Sequence, residues 1–303
     1  MPPPAPEKKF GGKTTADEVI AGRDLRKLYV VVTGANTGIG FETARAFSAG
    51  GAHVTMACRS EESGQKAAAN VRNVTENSNV EFARLDLADS KSIKHFANTL
   101  AFEQIDILIC NAGLVANNYQ TTSDGLEMTV GVCHYGHFLL TKLLMKRLLA
   151  CTAPRVVLVS SESHRSPRTL DFEHFPAPEK NFRFMRAYGQ AKLANVLMAN
   201  ELQRRYSKQG LTACSLHPGT LITTEIGRNS RVIAFLMKLI SPFTKTPNQG
   251  ASTTMVCALQ DADSVASQYY SNCQPTTMSE EAMNPEVASR LWDLSEQWCD
   301  SLV

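Results

Sequence analysis

The feature that most constrains this chain is a glycine-rich turn set between a β-branched run and a helix start. Val30-Val31-Val32 runs into Thr33-Gly34-Ala35-Asn36-Thr37-Gly38-Ile39-Gly40, after which a helical pattern begins. Glycines let a backbone turn tightly and approach a bound group with no Cβ in the way. The helix start adds free N–H groups and a partial positive charge. Between the first strand and first helix of a βα series, such a turn cradles a pyrophosphate. Its spacing is GxxxGxG, not the GxGxxG of the dinucleotide fingerprint.

The βα series is legible. Leu28–Val32, Val54–Ala57, Val80–Leu85, Ile105–Cys110, Val156–Val159 and Leu211–Leu216 are short apolar runs, each followed by turn or capping residues, as buried parallel strands are. Helical stretches such as Ile39–Ala49, Ser63–Val74 and Ser90–Leu100 lie between them. Repeated βα units imply helices on both faces of a parallel sheet. The expectation is a doubly wound α/β fold in one domain over residues 26–303. Residues 1–25, rich in Pro, Gly and Lys, read as a flexible lead-in.

Composition narrows the function classes. Hydrophobic residues make up 43% of the 303 and charged residues 20%, which excludes wholesale disorder. Lys plus Arg is 31 and Asp plus Glu is 29, so nothing electrostatic favours nucleic acid as a partner. The eight cysteines are scattered without CxxC pairs, which points to no metal site, no disulfide framework and a reducing compartment. No apolar run approaches the roughly 18 residues that span a bilayer, and the N-terminus has no signal-like apolar core. A cytoplasmic protein is expected, with room for peripheral membrane contact.

The second strand ends at Cys58-Arg59-Ser60, where an NAD site carries an acid for the ribose 2′-OH. Arg59 instead suits a 2′-phosphate and favours NADP(H). A solvated surface arginine is the plainer alternative, with Glu61 and Glu62 close behind it. The third strand runs into Asp86-Leu87 and the fourth into Asn111-Ala112-Gly113, both at the carboxyl edge where doubly wound sheets bind ligands. The fifth ends in Ser160-Ser161. Tyr188 and Lys192 stand four apart in a helical stretch and share a face. An ammonium beside a phenol stabilises phenolate, so such a tyrosine works as acid or base nearer neutral pH. A serine at a strand end suits a substrate carbonyl and the oxyanion it becomes. Alone, Tyr-x-x-x-Lys is also the pattern of a core tyrosine beside a surface lysine.

Together these residues resemble the short-chain dehydrogenase/reductase family. The matches are Thr33–Gly40, Asp86, Asn111-Ala112-Gly113, Ser161, Tyr188 with Lys192, and His217-Pro218-Gly219, in the family's order. VSSESHR, AYGQAKLANVL, GHFLLT and PFTKTPNQGA resemble its retinol dehydrogenase branch. TTADEVIAGRD ahead of the first strand extends the likeness to the oxidoreductase domain of WW domain-containing oxidoreductases, with no WW domain expected in the lead-in. The resemblance implies a mainly parallel seven-stranded sheet. It implies Tyr188 as proton donor, Lys192 on the nicotinamide ribose and Ser161 on the carbonyl. Gly34, Asn36, Thr37, Gly38, Ile39 and Gly40 would border the pyrophosphate. Asp86 and Leu87 would lie at the adenine, Asn111, Ala112 and Gly113 near the adenosine ribose, and Pro218, Gly219 and Thr223 by the nicotinamide. The cofactor owns the hydride chemistry and the protein orients it.

One departure matters: Cys133 stands where the family usually has Asn, and Cys is a poorer hydrogen-bonding partner, so reduced activity is expected. The apolar segment at about 221–245 reads as a cover over a small lipophilic substrate (a retinoid, steroid or fatty aldehyde), as a helix packed on the core, or as a membrane-docking element flanked by Arg228, Arg231 and Lys238. A homodimer through residues 124–150 and 184–207 follows from the resemblance. Pro2, Pro3, Pro4 and Pro6 form a candidate proline-motif ligand, and the Ser301-Leu302-Val303 end a candidate PDZ-type ligand. The rival to an NADP(H)-dependent oxidoreductase is a cofactor-binding scaffold or signalling protein with weak or no turnover.

Overall fold

In the computed structural model, which describes residues 10–219 and 245–302, the expected strands form within one or two residues of the sequence reading. They are β1 (Tyr29–Thr33), β2 (His53–Cys58), β3 (Val80–Arg84), β4 (Ile107–Cys110), β5 (Arg155–Val159) and β6 (Thr212–His217). β7 (Tyr269–Ser271) pairs parallel to β6, and β8 (Gln274–Thr276) pairs antiparallel to β7. The order is β3-β2-β1-β4-β5-β6-β7-β8. Seven strands are thus parallel, as expected, and an eighth, three-residue strand caps the edge. It escaped the sequence reading because Gln274-Pro275-Thr276 carries no apolar signal, and a proline is tolerated on an edge.

Strand pleat assigns side chains to two faces. Val30 and Val32 point into one core with Val54, Met56, Ile107 and Ile109. Val31 points into the other with Leu108, Val156 and Leu158. This alternation with both faces buried is why each strand reads as a continuous apolar run. The first face is covered by α2 (Gly38–Ala49), α3 (Glu61–Thr75) and α8 (Pro247–Leu259), through Phe47, Val71 and Met255 among others. The second is covered by α4 (Ser90–Thr99), α6 (Gly136–Leu148), α7 (Phe184–Tyr206) and α10 (Pro285–Asp300), through Phe96, Leu144, Met198 and Trp292.

Helix starts obey local chemistry. Ser60 caps α3 by accepting from the Ser63 N–H, and Asp89 caps α4 by accepting from the Lys91 N–H. Thr246 and Gln249 form a reciprocal capping box at α8, with Pro247 in its first turn. The short α5 (Met128–Val130) is capped by the buried Glu127 carboxylate and continues through a π-helical turn, Gly131–Tyr135, into α6. Such widened turns mark functional sites. A short α9 (Ala262–Val265) leads towards β7.

The lead-in requires a correction. Residues 10–25 were expected to be flexible, but α1 (Ala16–Ile20) starts at a Thr15–Glu18 capping box and docks against α8 and α2, the helices over the sheet's first face. Ala16 and Val19 are buried, the Ala16 N–H donates to Asn248 Oδ1 at 2.8 Å, and Asp17 pairs with Arg45 at 2.8 Å. A five-residue helix is too short to show a 3.6-residue period, and it is held by tertiary contacts rather than by propensity. The proline run, Val303, Thr223 and all of the apolar 221–245 segment except Lys245 lie outside the described residues.

Leu25, buried against Gly50, tests the docked lead-in. Leu25→Ala is expected to lower stability by about 2–4 kcal/mol in urea unfolding. A freely solvated lead-in would give no change.

Candidate active site

Strand order reverses at β1, which pairs with β2 on one side and β4 on the other. The crossovers therefore diverge and leave a crevice at the carboxyl ends of these strands. Gly34 turns the chain with φ +64° while its N–H donates to the Ala57 carbonyl at 2.8 Å. Gly40, opening α2, comes so close that a Cβ there would overlap the Gly34 carbonyl and lie 2.5 Å from Asn111 Nδ2. The β4 turn is tied to the β1 turn. Asn111 Nδ2 donates to the Thr33 carbonyl at 2.8 Å, and the N–H groups of Asn111 and Ala112 donate to Thr33 Oγ1 at 2.9 and 3.0 Å.

A cavity of about 550 Å³ opens over these turns. Gly34, Asn36, Thr37, Gly38, Ile39 and Gly40 line one end. Arg59 borders it beyond β2, and Asp86 with Leu87 beyond β3. Asn111, Ala112 and Gly113 line its middle, while Tyr188, Lys192 and Pro218 line the far end. Gly219 follows Pro218 at φ +121°, with Lys245 against it. The cavity also takes in Ser60, Leu114, Val115 and Val132, which the sequence reading did not select, and Thr33, to which it gave no role beyond the matching turn. Thr33 carried a signal: a hydroxyl ending a β-branched run just before the glycine turn.

Tyr188 and Lys192 share one face of α7, with Lys192 Nζ 5.6 Å from the Tyr188 ring centroid. Lys192 is buried and donates to the Val159 carbonyl at 3.0 Å. Ser160 Oγ donates to the Lys192 carbonyl at 2.7 Å and ties the β5 end to α7. Ser160, not Ser161, belongs to the cavity lining. Ser161 opens the following 3₁₀ turn, Glu162–Arg165, where its hydroxyl accepts from the Ser163 N–H at 3.2 Å. Its carbonyl accepts from His164 Nδ1 at 2.8 Å. Cys133 lies in the π-helical turn, its thiol donating to the Leu114 carbonyl at 3.6 Å. An ideal Cβ on Gly113 would meet Lys192 Nζ at 3.2 Å and Cys133 Sγ at 3.5 Å. Lysine, cysteine and the β4 turn therefore converge on one point.

Arg59 is exposed at the rim and makes no ion pair among the described residues. Glu61 accepts from Gln65 Nε2 along α3 at 3.0 Å, and Asn36 Nδ2 donates to Ser63 Oγ at 3.2 Å. Asp86 Oδ1 accepts from the Ala88 N–H at 2.9 Å, which shapes the β3 turn. The residues present fit an extended dinucleotide. The glycine turn admits a pyrophosphate against the backbone, the open rim at Arg59 and Asp86 admits an adenosine, and the Tyr188–Lys192 end admits the reactive ring.

The relatives bear on the chemistry. A model of the short chain dehydrogenase family matches residues 28–172. The WW domain-containing oxidoreductase of Homo sapiens is 40% identical, the match covering 97% of this chain and 73% of that protein. Retinol dehydrogenase 12 of Mus musculus is 43% identical, covering 95% of this chain and 90% of that protein. Among solved structures, an uncharacterized protein from Mycobacterium Paratuberculosis superposes with a TM-score of 0.77 at 33% identity, covering 95% of this chain and 98% of that one. A short chain dehydrogenase from Escherichia coli CFT073 complexed with NADPH shares the fold, with a TM-score of 0.63 at 21% identity over 82% of this chain and 97% of that one.

Three of the four histidines buried among the described residues give a strong pH signature. Burial pushes His134 down to about 3, and His137 and His217 to about 4. Each is neutral in the folded state and gains a proton on unfolding below its ordinary value of 6.5. Stability is therefore fully present above that value and falls as the pH drops towards 4, at up to about 1.4 kcal/mol per pH unit for each ring. Urea midpoints measured from pH 7 to pH 4 are expected to decline steeply from about pH 6. A flat profile would show these rings to be protonated in the fold.

Proposed function

This chain belongs to the short chain dehydrogenase family, and on that premise we propose that it moves a hydride between NADP(H) and a lipophilic carbonyl or its alcohol. The observation that carries the reading is that Tyr188 and Lys192 face into the same cavity as the glycine turn. Dinucleotide cradle and proton donor thus share one crevice. A bound reduced nicotinamide supplies the hydride; the chain's own residues do the rest.

Tyr188, half-buried at the cavity end, donates its phenolic proton to the carbonyl oxygen. The Lys192 ammonium, held by the Val159 carbonyl, lies 5.6 Å from the centre of the Tyr188 ring. It would also hold the ribose that carries the nicotinamide. Ser161 orients the carbonyl from the turn after β5, by a hydroxyl that exchanges its Ser163 partner for substrate. Asn36, Thr37, Gly38 and Ile39 bind the pyrophosphate through the start of α2. Arg59, exposed and without an ion pair among the described residues, reads the 2′-phosphate. Asp86 and Leu87 would border the adenine, Asn111, Ala112 and Gly113 the ribose, and Pro218 and Gly219 the nicotinamide.

The retinol dehydrogenases at 42–43% identity support a retinoid, steroid or fatty aldehyde class of substrate. No helix among the described residues is long and apolar enough to cross a membrane. The reading is of a cytoplasmic enzyme that meets a membrane peripherally, with residues 124–150 and 184–207 as its dimer face. Cys133 lowers turnover, because its thiol is committed to the Leu114 carbonyl where an amide would both donate and accept. The same observation supports the second reading, a cofactor-binding scaffold with weak or no turnover.

Tyr188→Phe is expected to keep the fold and NADPH binding and to lose about 10²–10⁴-fold in turnover; retained turnover would overturn the mechanism. Arg59→Asp is expected to shift cofactor preference towards NADH by weakening NADPH binding about tenfold or more. Unchanged preference in side-by-side titrations would remove Arg59 from the 2′-phosphate site.

A further inference from the structure

We propose that His137 is a positioning residue for the cofactor cavity, its neutral ring holding the β1 and β4 turns in register with the π-helical turn that carries Cys133. The inference rests on the reading of the cavity as a dinucleotide site.

The hydrogen bonds fix the ring's orientation and tautomer. His137 Nδ1 lies 3.0 Å from the Cys133 carbonyl, which only accepts, so Nδ1 carries the proton. Nε2 is then a bare acceptor, 2.9 Å from Thr33 Oγ1. Thr33 Oγ1 already accepts from the N–H groups of Asn111 and Ala112. Its single hydrogen has two acceptors within reach, His137 Nε2 at 2.9 Å and the Ile109 carbonyl at 3.3 Å. The shorter contact goes to the imidazole. The ring is fully buried, and burial, with the Lys192 charge adding to it, keeps it neutral.

The π-helical turn frames this contact. The Gly136 N–H donates five residues back, to the Gly131 carbonyl. Within a turn of that width, the His137 ring supplies a donor to the carbonyl four residues before it. The same ring reaches across to Thr33, next to Gly34. One imidazole thus joins the turn whose cysteine sulfur lies beside Gly113 and Lys192 to the hydroxyl that gathers the β1 and β4 turns. An apolar residue in its place would remove the ring donor to the Cys133 carbonyl and leave the Thr33 hydroxyl only its longer contact to the Ile109 carbonyl.

A satisfied core histidine would affect stability alone, whereas a positioning residue must move cofactor affinity. Asparagine places an amide nitrogen near Nδ1 and keeps the Cys133 contact but does not reach Thr33. Glutamine reaches Thr33 with its amide oxygen. NADPH dissociation constants would be measured by fluorescence alongside melting temperatures. His137→Asn is expected to weaken NADPH binding about tenfold, and His137→Gln to stay within about threefold of wild type, although both lower the melting temperature. Thr33→Val removes this bond together with the acceptor for the Asn111 and Ala112 N–H groups, and is expected to weaken NADPH binding more than His137→Asn does. The double variant is expected to bind no more weakly than the weaker single. Equal loss in the asparagine and glutamine variants, multiplicative losses in the double, or unchanged affinity in Thr33→Val would overturn the proposal.

If the wild-type chain binds neither NADPH nor NADH, the dinucleotide reading fails on its own. Amide hydrogen exchange in the ligand-free protein then decides. Faster exchange at Asn111 and Ala112 in His137→Asn but not in His137→Gln upholds the positioning role; equal exchange in the two overturns it.

Discussion

The approach of Gly40 to the Gly34 carbonyl and the Asn111 amide is the contact on which the site depends. No other residue type fits at Gly40, since a Cβ there meets backbone on one side and the Asn111 amide on the other. The contact brings the start of α2 against the ends of β1 and β4, where the strand order reverses. It leaves the first N–H groups of α2 facing the crevice, in the geometry that suits a diphosphate. Asn111 closes the arrangement by donating to the Thr33 carbonyl.

The reacting end is set by a separate element. α7 runs for 23 residues along the sheet, and buried polar groups fix its rotation. Lys192 Nζ and Asn195 Nδ2 both donate to the Val159 carbonyl, and Ser160 donates back to the Lys192 carbonyl. These bonds lock α7 to the end of β5, so Tyr188 cannot roll away from the cavity without leaving several buried groups unpaired. Packing gives the sheet its strength, and this polar seam specifies which residue faces the crevice.

Much of this was legible in the sequence. Because both sheet faces are buried, each strand reads as an unbroken apolar run, and Val30-Val31-Val32 ahead of TGANTGIG fixed the first βα unit. Tyr188 and Lys192 were legible because helix geometry puts positions four apart on one face. What escaped reading depends on tertiary contact. α1 is too short to display periodicity and is held by Asn248 and Arg45, more than 200 and about 28 residues away respectively. β8 has no apolar residue to announce it. His137 looks like any histidine in a helix until Thr33, 104 residues away, is seen beside it. Ser160 and Ser161 read alike in sequence, yet the first locks α7 and the second caps a 3₁₀ turn.

The central claim is that the glycine turn and Tyr188 serve one reaction. It is tested most directly by following NADPH absorbance with purified protein and a panel of retinal, steroid ketones and long-chain aldehydes, with NADH in parallel. The account predicts saturable oxidation of NADPH by at least one of these carbonyls, faster than with NADH. Tight NADPH binding without oxidation across the whole panel would contradict it and leave a cofactor-binding scaffold in its place.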